Sequence, residues 1–267
     1  MALSPGTCRA WSGSPAAATK GIVMAATFTP RLNILPEAQR QLWPALDETD
    51  SLGFVLYGGT AIALRVGHRP SVDFDFFTDR PLDKSALRAH FPFISSATIL
   101  QDQPETLTVL VPQSDSDRIM APSDIAMEGE RQSHEVKVSF FGGLGFGRIG
   151  DSEIAIPGGV QVASLDDLMA HKLNVILQSV EAKDYLDVAT LVSAGTPLVA
   201  GLAGARVMFG ASFQPSECLK ALVYFEGGDL EHLSENTRTT LIEAVRTVGE
   251  LPTVPRVADA LVAADNV

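Results

Sequence analysis

An Asp-x-Asp pair inside an apolar stretch limits most strongly what this chain can fold into. Residues 71–77 read Ser-Val-Asp-Phe-Asp-Phe-Phe. Because successive side chains of a strand point to opposite faces, Asp73 and Asp75 share one face, about 7 Å apart along the strand. Carboxylates on a central, apolar strand are costly unless they are paired or bind a metal. The stretch therefore predicts a core strand with two acids on one face, although the solvated face of an edge strand would show the same pattern.

A double glycine precedes this strand. Residues 53–57 are a compact apolar strand that ends at Gly58 and Gly59, and residues 60–66 have a helical pattern. Glycines allow a phosphate to approach the backbone closely, and the first N–H groups of the helix can receive its charge. Thr60 could add a hydroxyl, but the glycines could also be a plain turn. Next to the two acids, the double glycine favours a site for a divalent metal and a phosphate, which points to nucleotide chemistry.

A site of this kind usually draws a third acid from a neighbouring strand. The obvious neighbour is the alternating segment at residues 135–141, which reads Glu-Val-Lys-Val-Ser-Phe-Phe. The natural position for the third acid is Ser139, and Glu135 shares its face. A metal-dependent reaction is the sharper interpretation of the acidic pair, and Ser139 is its weakest link. Mg²⁺ in proteins needs only one or two carboxylates when phosphate oxygens complete its coordination.

Cations and a further acid lie in the second half of the chain. Lys172 falls on the apolar stripe of an amphipathic helix, where it could extend its ammonium to water or aim it at a nucleotide phosphate. Lys183 and Asp184 begin the next helix, where Lys183 could also pair with Asp187 four residues later. His171 and the other histidines have no metal-ligand spacing, so they are expected to be structural or solvated.

Composition indicates a folded globular protein. The chain has 267 residues, of which 46% are hydrophobic and 19% charged, so it can form one large domain or two ordinary ones. Its net charge of −12 gives no global signal for binding nucleic acid, although a local basic groove could exist. The two cysteines, Cys8 and Cys218, form no CxxC or Cys/His cluster. Neither a zinc site nor a disulfide framework is expected, which suits a reducing cytoplasm.

The N-terminal residues 1–23 are rich in Ala, Ser, Gly and Pro, and we expect a disordered extension there. Met24 is the expected natural start. Lys20 interrupts the one candidate apolar run, so a secretory signal is not expected. No uncharged apolar run approaches 18 residues, so no membrane span is expected either.

Hydrophobic periodicity divides the rest into an α/β core at residues 24–163 and a helical region at residues 164–267. Residues 112–134 are polar and predict a long loop. Strands are predicted at 53–57, 71–77, 106–111, 135–141, 154–156 and 160–162, and helices at 36–50, 60–66, 83–91, 165–178, 182–193, 215–225 and 234–247.

An ordered set of motifs between about residue 24 and residue 255 resembles the AbiEii/AbiGii toxin-type nucleotidyltransferases, a branch of the polymerase-β-like nucleotidyltransferase superfamily. The motifs are Leu56-Tyr57-Gly58-Gly59-Thr60-Ala61, Gly67-His68-Arg69-x-Ser71-Val72-Asp73-Phe74-Asp75-Phe76-Phe77, Val136-Lys137-Val138-Ser139-Phe140-Phe141, Ala163-Ser164-Leu165-x-Asp167-Leu168 and Lys183-Asp184-Tyr185-Leu186-Asp187, where x is any residue. No single piece is specific, but their order is. The resemblance implies an α+β fold, in which a small mixed sheet flanked by helices is followed by a helical C-terminal half that closes a nucleotide cleft.

The resemblance also implies roles for individual residues. The triphosphate would be held by the glycine-rich helix start, Mg²⁺ or Mn²⁺ by the acidic pair, and the helix lysine would be a catalytic cation. In full, the implied residues are Gly58, Gly59, Thr60, Ser71, Lys183 and Asp184 for the nucleoside triphosphate (NTP), Asp73 and Asp75 for the metal, and Asp73, Asp75 and Lys172 for catalysis. Members of the family are toxin halves of bacterial toxin–antitoxin or phage-defence systems, and characterised ones add nucleotides to tRNA acceptor ends.

Two departures from the family pattern bear on activity. The third acidic position is Ser139, and Gln178-Ser179 stands where many relatives carry an arginine before the Lys-Asp pair. The favoured hypothesis is a metal-dependent nucleotidyltransferase that transfers a nucleoside monophosphate to an RNA, such as tRNA, or to a protein hydroxyl, with a cognate antitoxin. The alternative is a catalytically silent domain that binds nucleotide or a partner protein. A generic α/β protein without a nucleotide role is a third possibility.

Overall fold

The computed structural model describes residues 26–113 and 135–262. The expected N-terminal extension at residues 1–23, Met24 and Cys8 lie outside the described residues, as does the greater part of the loop expected at 112–134. Within the described part the chain forms a mixed sheet with helices packed against it. The predicted α+β class, with a mixed sheet followed by helices, is confirmed.

Eight strands form the sheet within the described residues. They are β1 (Thr27–Phe28), β2 (Val55–Tyr57), β3 (Asp73–Phe77), β4 (Thr98–Gln103), β5 (Thr106–Pro112), β6 (Glu135–Phe141), β7 (Glu153–Ala155) and β8 (Gln161–Val162). Their order is β1-β7-β8-β2-β3-β6-β5-β4. The pairs β1–β7, β2–β8 and β3–β6 are parallel, whereas β2–β3, β5–β6, β4–β5 and β7–β8 are antiparallel.

The helices largely follow the predicted periodicity. They are α1 (Glu37–Leu42), α2 (Gly58–Val66), α3 (Lys84–His90), α4 (Phe93–Ser96), α5 (Leu165–Ile176), α6 (Ala182–Ser193), α7 (Leu198–Phe209), α8 (Pro215–Leu222) and α9 (Glu235–Arg246). Short 3₁₀ helices span Leu32–Ile34, Trp43–Thr49, Gly210–Ser212 and Leu230–His232. Helix α1 ends at Leu42, and Pro44 lies in the first turn of the 3₁₀ helix that follows. The predicted interruption of the helix at Pro44 is therefore confirmed.

The Asp-x-Asp strand is a central strand, as predicted. Phe74 and Phe76 are fully buried, whereas Asp73, Asp75 and Phe77 on the opposite face are half-buried. The aromatic face packs into the hydrophobic core, since the ring of Phe74 contacts Trp43 at a tilt and the ring of Phe76 stacks on Phe140. The burial of this face fixes the register of β3, because a shift by one residue would turn the two acids into the core and the buried aromatic rings out of it.

Four of these strands and helices were not predicted from the sequence, and one of them, α4, has only four residues. Strand β1 has only two residues, and β4 reads Thr-Ile-Leu-Gln-Asp-Gln at the edge of the sheet, where all six residues are exposed, so no apolar face marks it. Helix α7 is apolar nearly all round and contains Gly201 and Gly204, which face the close-packed side chains of Met169 and Ile149. Glycine lowers helix propensity, and a helix buried on most sides has no amphipathic period.

The helical region packs onto the sheet through α2. Helices α5 and α6 both contact α2, and buried side chains of the sheet and of α5 to α9 form a continuous hydrophobic cluster. The boundary between the two expected parts, at residues 163 and 164, stays a prediction.

Ser164 is the N-cap of α5, and its contribution to stability can be measured. The Ser164 hydroxyl accepts a hydrogen bond from the Asp167 N–H at 3.0 Å and donates one to the Asp167 carboxylate at 2.8 Å. Ser164→Ala is therefore expected to lower the free energy of unfolding by about 1 kcal/mol, the usual value of an N-cap, as measured by urea denaturation. Ser212→Ala removes an exposed hydroxyl that bonds the backbone of Phe209, and it is the matched control with little expected effect. Equal losses in both variants would contradict the capping role.

Among the described residues, no single helix has the length and apolar character needed to cross a membrane. The helical segments Ala182–Ser193 and Leu198–Ser212 have the length and composition of a membrane span only when they are taken together, and the chain bends by 120° between them.

Candidate functional site

A cavity of about 280 Å³ lies where α2, β3, α5 and α6 meet. It brings together eight of the nine residues predicted for the site. They are Gly58, Gly59, Ser71, Asp73, Asp75, Lys172, Lys183 and Asp184. Residues separated by more than a hundred positions in the chain therefore meet at one place, which is the arrangement that the motifs predicted.

The two acids of β3 face this cavity together. Burial raises the pKa of Asp75 above its usual range, and the nearby negative charge of Asp73 raises it further. The Lys137 ammonium lies 2.9 Å from Asp73, and Ser139 on the same neighbouring strand hydrogen-bonds to Asp75. Ser139 pairs directly with Asp75 in the parallel register of β3 and β6, so it occupies the neighbouring position where a third acid was sought. The repulsion between the two carboxylates would be relieved by a bound cation.

The double glycine is the first turn of α2, and it is not a separate turn before a helix at residue 60. Gly58 has a φ of +74°, and a Cβ built on it would lie 2.7 Å from the carboxylate of Asp75. A Cβ on Gly59 would lie 2.6 Å from the Arg69 guanidinium and 3.0 Å from the Ser71 hydroxyl. The bare backbone thus lets the side chains of the site approach the helix start. Its predicted contact with a phosphate stays a prediction.

Thr60 is the predicted site residue that the cavity does not include. Its side chain is fully buried, and its hydroxyl donates a hydrogen bond to the backbone carbonyl of Asp73. Because the hydroxyl already binds this carbonyl and Thr60 does not line the cavity, the geometry does not support the expected contact between Thr60 and a phosphate, and that contact stays a prediction. Thr60 instead joins α2 to the start of β3 and so positions the acidic pair.

Lys172 does not extend to solvent but lies in a buried ion-pair network. Its ammonium is 2.6 Å from Asp184 and 2.8 Å from Asp187. Burial lowers the pKa of Lys172, but the charges of the two carboxylates outweigh this effect and raise the pKa above its ordinary value. The cation is therefore held charged at the wall of the cavity. Lys183, by contrast, pairs with Glu181 at 2.6 Å, and not with Asp187 as the helix spacing allowed.

Asp187 is the centre of this network, and it was not predicted as a site residue. Its carboxylate is fully buried and accepts two hydrogen bonds from the Arg69 guanidinium, at 2.7 and 2.8 Å. His68 Nε2 is 2.7 Å away on the same oxygen that Arg69 Nε contacts. Although burial raises the pKa of Asp187, hydrogen bonding to His68 and the charges of Lys172 and Arg69 lower it well below its usual range. The network joins the loop after α2 to helices α5 and α6.

A sequence signal for Asp187 existed. Asp184 and Asp187 are three residues apart on α6, so they share one helix face, and Lys172 is on the apolar stripe of α5. Acids and a lysine on facing apolar stripes predict a buried pair. The His68-Arg69 dipeptide gave no such signal, because a loop residue carries no periodicity.

His171 packs among aromatic rings at the base of the cavity. Tyr57 and Phe77 lie 5.6 and 5.2 Å from it, measured between ring centroids, and burial lowers the pKa of His171 to about 4. Its imidazole is therefore neutral near pH 7, and its structural role agrees with the prediction.

The chemistry of the cavity fits a divalent metal together with an anion. Within the described residues, the lining carries three cations (Arg69, Lys172, Lys183) and four carboxylates (Asp73, Asp75, Glu181, Asp184). Such a balance does not attract a polyanion by itself. The described part contains no group of three or more His, Cys, Asp or Glu residues arranged to hold a metal. Two carboxylates of one strand are nevertheless what Mg²⁺ takes from a protein when phosphates and water supply its other ligands.

A comparison with protein families agrees with the motifs. Residues 42–253 match the family model described as nucleotidyl transferase AbiEii toxin, type IV TA (toxin–antitoxin) system. The matched range contains the predicted site residues of β3, α2, α5 and α6.

Two individual proteins are also similar to this chain. The uncharacterized protein aq_aa25 of Aquifex aeolicus (strain VF5) is 39% identical over 83 residues, which cover 29% of this chain and 39% of that relative. A crystal structure of an H. pylori protein assigned as a nucleotidyltransferase is 15% identical, with a TM-score of 0.48, and the similarity covers 77% of this chain and 91% of the other.

Proposed function

Because the chain belongs to the AbiEii nucleotidyltransferase toxin family of type IV toxin–antitoxin systems, we propose that its cavity binds a magnesium–NTP complex and transfers the nucleoside monophosphate to an acceptor hydroxyl. The observation that carries the proposal is the convergence of Asp73, Asp75, the helix start at Gly58 and the cation of Lys172 on one cavity. In the reaction the acceptor hydroxyl gives up its proton to solvent and its oxygen forms a bond to the α-phosphorus. The bond between the α-phosphorus and the oxygen that bridges to the β-phosphorus breaks, and pyrophosphate leaves with that oxygen.

The residues of the chain act by positioning and by charge. Asp73 and Asp75 would hold Mg²⁺ or Mn²⁺, which neutralises phosphate charge and polarises the reacting phosphate when bound. The N–H groups of the first turn of α2 and the Ser71 hydroxyl would orient the triphosphate. Lys172 and Lys183 add positive charge at the opposite wall, and a fixed network requires little reorganisation during the reaction.

The acceptor is an RNA, such as tRNA, or a protein hydroxyl, and the family of the chain supports a cognate antitoxin as a partner. The cytoplasm is the proposed location, because it contains NTPs and both classes of acceptor. These assignments extend the proposal beyond the family itself.

The direct test is label transfer from each NTP to total tRNA and to lysate protein, with Mg²⁺ or Mn²⁺. Each NTP is supplied in parallel with the label on the α-phosphate or on the γ-phosphate. Nucleotidyl transfer places only the α label on the acceptor, whereas phosphoryl transfer places only the γ label. Transfer of the γ label would refute the proposed reaction, and EDTA should remove the α signal.

A catalytically silent nucleotide-binding domain is the second candidate, and Ser139 is the observation that favours it. Ser139 occupies the position next to Asp75 where a third acid was expected. A gain of transfer in Ser139→Asp, with none in the wild type, would support a silent domain. Ser139→Asn is the control, because the Asn side chain has nearly the same volume as Asp but carries no charge. Transfer by the wild type would exclude this candidate.

Lys137 provides a further test of the metal site. Its ammonium lies 2.9 Å from Asp73, where it would compete with a metal for the carboxylate. Lys137→Met is therefore expected to tighten Mn²⁺ binding about two- to fivefold, which corresponds to the free energy that a partly exposed ion pair contributes. Titration of Mn²⁺ monitored by electron paramagnetic resonance measures this affinity. Lys84→Met, which removes a surface pair with Asp102, is the matched control and should leave the affinity unchanged. Weaker Mn²⁺ binding in Lys137→Met would contradict a metal at Asp73.

A further inference from the structure

His171 lines the cavity, but the proposed reaction gives it no role. Its ring is held by four aromatic rings, whose centroids lie between 5.2 and 6.2 Å from its own and which belong to Tyr57, Phe77, Phe146 and Phe209. His171 is half-buried, and neither of its ring nitrogens forms a hydrogen bond within the part of the chain that the structure describes. The aromatic packing therefore explains how the imidazole is held, but it leaves the donor and the acceptor of the ring unused at the cavity wall.

The imidazole is also uncharged. Burial and then the positive charge of the neighbouring Lys172 lower the pKa of His171 to about 4. Near pH 7 one ring nitrogen therefore donates a hydrogen bond and the other accepts one. Phosphates are bound more strongly by cations and by backbone N–H groups, so a neutral imidazole suits an uncharged polar group. In an NTP, such groups belong to the base and the ribose.

The cavity changes from charged to uncharged along β3. The side chains of Asp73, Asp75 and Phe77 face the cavity at steps of about 7 Å along the strand. The ammonium of Lys172 is close enough for its charge to act on Asp75. One step further, the neighbour of Phe77 is His171, at 5.2 Å between ring centroids. The acids thus mark a charged part of the cavity, and the two rings mark an uncharged part beyond it.

The donors proposed for the triphosphate lie on the other side of the acids. A Cβ on Gly59 would lie 3.0 Å from the Ser71 hydroxyl, so the start of α2 faces the residues that precede Asp73. A triphosphate whose β- and γ-phosphates are bound there places its α-phosphate at the acidic pair. The nucleoside then extends beyond Asp75, in the direction of Phe77.

We propose that Phe77 and His171 form the subsite for the nucleoside part of the NTP, in which the base packs against the Phe77 ring and the His171 imidazole hydrogen-bonds to the edge of the base. The inference rests on the proposed function, because it requires a triphosphate at the acidic pair. The edges of the four bases differ in the order of their donors and acceptors. An imidazole that is held in place by packed rings therefore favours some bases over others, which makes His171 a specificity-determining residue.

Four variants test the subsite. His171→Phe removes both ring nitrogens and keeps an aromatic ring in the cluster, and Phe77→Leu keeps an apolar side chain but removes the flat ring. His90→Phe makes the first substitution at an exposed histidine of α3 outside the cavity, and it is the matched control. Val72→Ser tests the opposite orientation of the NTP, because Val72 lines the cavity on the other side of the acids and is 53% exposed.

The probes are the four Mg²⁺–NTPs and Mg²⁺–tripolyphosphate, which has the phosphates but no nucleoside, and binding is measured by calorimetry. In His171→Phe the best-bound NTP should lose affinity by about 2- to 12-fold, which corresponds to one hydrogen bond, and the differences among the four NTPs should shrink. Phe77→Leu should weaken all four NTPs by about fivefold or more, the effect of losing a stacked base. The affinity for Mg²⁺–tripolyphosphate should stay within about twofold of the wild type in both variants, and His90→Phe should behave as the wild type.

Unchanged NTP affinities in His171→Phe would overturn the proposal. A loss in Val72→Ser without one in His171→Phe would also overturn it, by placing the nucleoside at the opposite end. An equal loss of tripolyphosphate affinity in folded His171→Phe would make His171 a structural residue of the metal site. If urea denaturation shows that His171→Phe is unfolded, Phe77→Leu decides by the same comparison.

The subsite and the proposed function fail in different ways. A wild type that binds neither Mg²⁺–NTP nor Mg²⁺–tripolyphosphate would refute both. A wild type that binds the two equally well, with all four NTPs alike, would leave the metal–phosphate site in place and refute the nucleoside subsite alone.

Discussion

Replacement of Asp75 by Asn is expected to reduce the rate of nucleotidyl transfer by roughly 100- to 1,000-fold, which is the usual effect of removing one group that stabilises a transition state. The substitution keeps the shape of the side chain but removes the charge that would hold a metal. Burial and the charge of Asp73 raise the pKa of Asp75, so its ionised form is less favourable in the folded than in the unfolded chain. Asp75→Asn should therefore leave the free energy of unfolding unchanged or raise it.

A loss of activity without a loss of stability distinguishes a functional acid from a structural one. Transfer of the α label and urea denaturation are measured on the same preparations of wild type, Asp73→Asn and Asp75→Asn. Glu217→Gln, at an exposed acid of α8 that pairs with Lys220, is the control for loss of one negative charge. Full activity in Asp75→Asn would remove the acid from the mechanism. A large loss of stability would instead make Asp75 a structural residue.

Asp187→Asn is expected to have the opposite effect and to destabilise the fold by about 3–5 kcal/mol, the usual cost of breaking a buried ion pair. The variant leaves the half-buried guanidinium of Arg69 without a bidentate partner and removes one of the two carboxylates that contact the buried Lys172 ammonium. Urea denaturation measures the change. Glu217→Gln breaks an exposed ion pair with Lys220 and should cost less than about 1 kcal/mol. Similar losses in the two variants would contradict the central position of Asp187.

The stability difference between wild type and Asp187→Asn should also depend on pH. The pKa of Asp187 is lowered in the folded chain, so its contribution is fully present above the ordinary value of 3.8 and is lost as the pH falls below it. Denaturation at pH 7 and at pH 3 measures the difference, which should shrink at the lower pH. A constant difference would mean that the charge of Asp187 does not contribute.

Much of the site could be predicted because it depends on short-range patterns. The alternation of acids and aromatic residues in β3 determines which face is buried, and one buried face fixes the orientation of both carboxylates. Ser139 could be located because β6 alternates in the same way and lies beside β3 in register. The family resemblance then gave the order of the motifs, and the structure brings them to one cavity.

The rest depends on contacts that no local pattern carries. Whether the hydroxyl of Thr60 faces a phosphate or the backbone of Asp73 depends on how α2 is placed against β3. The partners of Lys172 depend on how α5 packs against α6, and Arg69 reaches Asp187 from a loop.

The measurement that tests the central claim most directly is calorimetric binding of NTPs with Mg²⁺ and with EDTA, in the wild type and in Asp73→Asn. It needs no knowledge of the acceptor and no turnover. The account predicts that Mg²⁺ tightens binding in the wild type by at least about tenfold, which is roughly 1.4 kcal/mol, and that Asp73→Asn loses this gain while it stays folded. Equal affinity with Mg²⁺ and with EDTA in the wild type would contradict a metal–nucleotide site at Asp73 and Asp75.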